Sequence, residues 1–76
     1  MYYIIEHDIR PDGIVNTSET GRSTFASALS YYYDRQSKLV LNTNFVSAHL
    51  MLVEETLAIV MQDNVETQYK PVEAAE

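Results

Sequence analysis

The sequence has no cysteine and no tryptophan, and only two glycines, two prolines and five basic residues among its 76. Without cysteine there are no disulfides and no thiolate metal sites, and nothing records the redox compartment. A chain this short buries only about 60% of the surface its unfolded form exposes. Lacking a covalent staple, it must rely on close packing or on self-association. The basic residues, Arg10, Arg22, Arg35, Lys38 and Lys70, are scattered and face 11 acids, for a net charge of −6. Phosphate contacts require clustered Lys and Arg, so nucleic acid is not the expected partner. No run nears the ~18 apolar residues of a membrane span. The opening MYYIIEHDIR has no basic start and turns acidic at Glu6 and Asp8, unlike a secretion signal. The expected location is therefore the cytoplasm, with no membrane partner.

Hydrophobic residues make up 46% of the chain, enough for a globular core. Residues Tyr2 to Ile9 are rich in strand formers, with Tyr3, Ile5, His7 and Ile9 on one face and Tyr2, Ile4, Glu6 and Asp8 on the other. Arg10-Pro11-Asp12-Gly13 is a hairpin turn, because Pro presets φ and Gly supplies positive φ. A short return strand, Ile14 to Ser18, reads as an edge from its Asn, Thr and Ser. Glu19 to Ser23 reads as a polar loop before a helix N-cap at Ser23 or Thr24. Phe25, Ala28, Leu29, Tyr32, Tyr33 and Gln36 then form a helical stripe. Residues 39–41 suit helix or strand; the stop signal Asn42-Thr43-Asn44 favours a helix to about Leu41. Val46 to Glu54 and Leu57 to Gln62, the latter with room to reach Val65, make a closing hairpin. The expected fold is α+β in the order β-β-α-β-β, one helix packed on one face of an antiparallel sheet of three to four strands. It forms a single domain over residues 1–69, followed by a loose tail at 70–76.

Chemistry-bearing patterns are few. His7 and His49 are the only histidines, with Glu6, Asp8 and Glu54 near them in sequence. They stand in neither H-x-H nor H-x-x-x-H spacing, so ordinary sheet histidines are favoured over a metal site. No nucleophile elbow, phosphate loop or dinucleotide fingerprint is present. No catalytic residue, cofactor or metal is therefore expected. Thr20-Gly21-Arg22-Ser23-Thr24 could cradle an anion at the helix start, but a plain loop with a Ser/Thr cap needs nothing more. Asn16-Thr17-Ser18 matches a glycosylation acceptor by chance. Tyr31-Tyr32-Tyr33 is the most unusual local feature. At 100° per residue three tyrosines cannot all be core. Tyr32 and Tyr33 are expected to face the sheet, and Tyr31 to lie at the outer edge, where tyrosine suits an interface.

In layout the chain resembles a loose class of small proteins encoded by phages and prophages of gut bacteria. The resemblance rests on Tyr2, Tyr3, Glu6, His7, Asp12, Gly13 and Asn16, followed by a helix and an apolar hairpin. It is specific only over residues 2–16, and the second hairpin departs from the class by turning at Glu55-Thr56 without a glycine. The class has no settled activity, so the resemblance implies a context alone: a phage accessory or virion-associated protein.

One helix covers only one sheet face. If that face takes Ile5, Leu50, Leu52 and Ile59, the other holds Tyr2, Ile4, Met51, Val53 and Val60. Strands apolar on both faces usually have both covered. The expectation is a homodimer or larger assembly centred on Ile4, Met51 and Val53, with Tyr31 a further interface residue. The alternative is an acidic inhibitor that binds a host protein. Such an inhibitor would cluster its acids, whereas here they are spread along the chain.

Overall fold

The computed structural model describes residues 1–70. All of the tail expected at 70–76 beyond Lys70 lies outside the described residues. Four strands and one helix follow the expected order: β1 (Tyr2–Ile9), β2 (Val15–Arg22), α1 (Phe25–Val40), β3 (Ser47–Glu54) and β4 (Ile59–Glu66). The sheet is antiparallel with spatial order β2-β1-β3-β4. The closing hairpin thus docks beside the first strand, and β1 and β3 form the centre.

Turn chemistry fixes the first hairpin. Gly13 N donates to Arg10 O at 2.9 Å, and Gly13 takes φ +90°. Asp12 Oδ1 accepts from Ile14 N at 3.0 Å. The second hairpin has no such glycine. Leu57 takes φ 69° in its place, with its side chain 74% exposed. A left-handed conformation costs a Cβ-bearing residue about 1–2 kcal/mol, and here no burial of the side chain offsets it. Leu57→Gly should therefore raise stability by ~1 kcal/mol, read as a later urea midpoint at unchanged slope. An unchanged or earlier midpoint would mean the Leu57 side chain contributes packing.

The helix begins where its cap lies: Thr24 Oγ1 accepts from Ser27 N at 3.1 Å. It ends at Val40, and Asn42 closes the exit, its Oδ1 accepting from Asn44 N at 2.7 Å and Phe45 N at 3.1 Å. Residues 39 and 40 are helical, as the stop signal suggests. Ala28, Tyr32 and Leu39 are fully buried against Ile4, Ala48, Leu50, Leu52 and Val65, the core of the domain.

Several sequence expectations are corrected. The return strand does not stop at Ser18, and Glu19 to Arg22 is not a loop. Pairing with Tyr2 to Ile5 carries the ladder to Arg22 despite weak strand formers. Within the tyrosine triplet, Tyr33 is 51% exposed and Tyr31 packs against the core. Thr20 of β2 decides this by donating to Tyr31 Oη at 3.2 Å, while the Arg22 guanidinium lies 4.8 Å over the Tyr31 ring. Tyr33 instead stands edge-on to Tyr32 at 5.7 Å.

The largest correction concerns β1. Ile4, Glu6 and Asp8 lie under the helix, and Ile5 lies on the other face. Cross-strand register requires it, since Ile4 pairs with Leu52, Glu6 with Leu50 and Asp8 with Ala48, and paired residues share a face. Ile4 and Tyr2 are therefore not on the open face. Ile4 is core, and Tyr2 packs against the core with its ring 5.6 Å from that of Phe25.

Candidate interaction face

With β1 so placed, the uncovered face is built in cross-strand rows. Gly21, Tyr3, Val53 and Ile59 form the first, and Glu19, Ile5, Met51 and Gln62 the second. Thr17, His7, His49 and Asn64 form the third, and Val15, Ile9, Ser47 and Glu66 the fourth. On the two central strands Tyr3, Ile5 and Met51, each half-buried, form a contiguous uncharged block with the buried Val53. The Tyr3 ring leans over the glycine in its row: a Cβ on Gly21 would sit 3.6 Å from it. Val53 is buried among its row neighbours, while Ile59 stands exposed beside it. Val60 falls at the register shift that pairs Leu52 with Met61 and Val53 with Ile59, and is exposed there.

The two histidines meet in the middle of this face. His7 and His49 are register partners, with rings stacked at 6.1 Å and 10° between planes. Each edge strand holds one ring. Thr17 Oγ1 lies 3.0 Å from His7 Nδ1, and Gln62 Oε1 lies 3.0 Å from His49 Nε2. The carboxylates next to His7 in sequence are on the opposite side of the sheet, because adjacent strand residues point to opposite faces. Among the described residues no group of three or more His, Cys, Asp or Glu could hold a metal ion.

Under the helix lies a charge cluster that local sequence patterns do not reveal. Arg35 Nε and Nη2 donate to the two Glu6 carboxylate oxygens, both at 2.8 Å, across 29 positions of sequence. Burial, the largest influence, raises the Glu6 carboxyl, but the Arg35 fork, a hydrogen bond with Asp8 and the Arg35 charge together hold Glu6 below the usual carboxylate range. Asp8, 8% exposed, receives no such partner, and its Oδ1 is buried without a hydrogen bond. Burial first, and then the neighbouring Glu6, push it up to about 7. Nearby, Tyr32 Oη donates to Asp63 Oδ2; burial, then that bond, raises the Tyr32 phenol.

Of the residues expected at an interface, Met51 and Val53 share the open face, whereas Tyr2, Ile4 and Tyr31 belong to the helix side. Ile5, Tyr3 and the histidine pair take their place. The signal for the pair was present in the sequence as one histidine in each of two strands, but only the register brings them together. Gly21 and Arg22, weighed as part of an anion loop, lie within β2, and the Arg22 guanidinium is engaged over Tyr31. No helix among the described residues is long and apolar enough to cross a membrane. The chain matches no protein-family model, no curated protein and no solved structure.

Proposed function

We propose that this domain is a non-catalytic self-association module whose open sheet face seats against a second copy, in the setting of a phage accessory or virion-associated protein. The observation that carries the reading is the uncharged block of Tyr3, Ile5, Met51 and Val53 across the two central strands, on the face the helix does not cover. Four strands ~4.8 Å apart and eight residues at ~3.3 Å give a footprint of ~20 by 26 Å. Side-chain relief brings the accessible area of such a footprint toward the ~800 Å² per partner of a standard interface. Charge supports the same occupant. Two copies of net charge −6 repel least when their acids stand at the margin of the seam and not at its centre. The acids in the rows of the open face, Glu19 and Glu66, stand on the edge strands, and Glu6 and Asp8 are hidden beneath the helix.

Met51→Lys tests the reading without touching the core. Seating an unpartnered ammonium in the middle of a dry interface weakens association by ~100-fold or more. Light scattering at micromolar concentration should show a mass twice 8.7 kDa for the natural sequence and 8.7 kDa for the variant, with equal helical circular dichroism. A variant that associates as tightly as the natural chain would remove Met51, and this face, from the interface.

A further inference from the structure

Resting on that reading of the open face, we infer that the stacked His7–His49 pair makes self-association pH-gated: closed at neutral and alkaline pH, released in acid. The pair occupies the third of four rows, next to the centre of the face, on both central strands. A twofold-symmetric contact maps the face onto itself. A copy centred there meets the histidine row with either its own Ile5–Met51 row or its own His7–His49 row. Both arrangements bury imidazole. Against Ile5 and Met51 a charged ring loses water and gains no partner, and against a second pair it meets like charge 6.1 Å away within its own copy and more across the seam.

The groups that face the pair offer no relief. Thr17, Gln62 and Asn64 are neutral, and Tyr3 is two rows away. Among the described residues Glu19 and Glu66 are the carboxylates in the rows of this face and stand at the edges, one row from the pair on either side. Glu6, Asp8 and Arg35 lie beneath the helix on the other side of the sheet, and among the described residues no other element packs on the open face. Imidazole is the side chain that gains its charge between pH 8 and pH 5. A charged ring at the seam must give up its proton on association or be buried with it. Each proton so linked weakens association tenfold per pH unit over the range in which it is taken up.

The test is the dissociation constant by sedimentation equilibrium at pH 8 and pH 5, for the natural chain, the His7→Gln/His49→Gln double variant and Asp8→Asn. The expected result is association at pH 8 that weakens at least ~10-fold at pH 5. The response should vanish in the double variant and persist in Asp8→Asn, which removes the other group titrating in this range. Equal association at both pH values overturns the gating and leaves the face reading standing, as does a double variant that still dissociates in acid. A monomer at pH 8 overturns both. Circular dichroism on each sample at each pH separates dissociation from unfolding.

Discussion

Replacing Arg35 with Met should cost the fold ~2–3 kcal/mol, below the range for a fully buried ion pair because the Arg35 side chain is 28% exposed. The Glu6 side chain is 6% exposed, and both its oxygens are satisfied by the Arg35 fork at 2.8 Å. Without that fork Glu6 must either stay charged beside Ile4, Leu50 and Asp8 or bind a proton, and either outcome favours the unfolded chain. For a domain with a total stability of about 5–15 kcal/mol this is a large fraction. The companion variant Arg35→Met/Glu6→Leu should recover most of the loss, because exchanging a whole buried pair for apolar residues is often neutral. Urea denaturation reads both. A loss below ~1 kcal/mol for Arg35→Met would place the pair among screened surface contacts.

Asp8 should make the domain less stable as pH rises from mild acid to neutrality. Its folded value, about 7, lies above the 3.8 of a free aspartate. Between those two values the folded protein holds a proton that the unfolded chain has released, so raising pH across that window favours unfolding, and the loss is complete above it. Glu6 runs the other way. Its folded value is lowered, so its ion pair stabilises the fold at neutral pH and is lost on acidification through the carboxylate range. Together they place maximum stability in mild acid. Asp8→Asn, which keeps the shape and removes the charge, should gain on the order of 3 kcal/mol at pH 8.5 and little at pH 4. Thermal melts at the two pH values would show this as a pH-dependent gap between variant and natural chain. A gap that is the same at both would mean that Asp8 keeps its ordinary value in the fold.

How far the sequence could be read follows from the range of the interactions involved. The helix was legible nearly to the residue, because Thr24 and the Asn42 stop are local signals. So was the first turn, where Pro11, Asp12 and Gly13 act on their own backbone. The parity of β1 was not. Tyr3, Ile5, His7 and Ile9 are together more apolar than Tyr2, Ile4, Glu6 and Asp8, and burial alone puts the first set inward. What reverses it is Arg35, 29 positions away, which makes an inward Glu6 tolerable, together with the register that sets Ile4 beside Leu52. The end of β2 was missed for a similar reason: Glu19 to Arg22 has little strand preference of its own and is held by its partner. Tyr31 and Tyr33 lie on either flank of Tyr32 on the helix, and a hydroxyl on β2 chooses between them. Met51 and Val53 of β3 lie on the face expected to be open, but Ile59 of β4, expected under the helix, lies there too because it pairs with Val53. The β1 half of that face is reversed, as Arg35 and the register require.

A second copy is expected to cover the face built on Tyr3, Ile5 and Met51. Mixed-label nuclear magnetic resonance reads this without substitution: equal amounts of isotope-labelled and unlabelled chain are combined at pH 8, and only contacts between copies are recorded. Intermolecular contacts are expected from the Met51 and Ile5 methyl groups to Tyr3, Ile5, Met51 or the His7–His49 rings of the other copy. An absence of intermolecular contacts, or contacts confined to the edges of β2 and β4 or to the outer surface of α1, would contradict it.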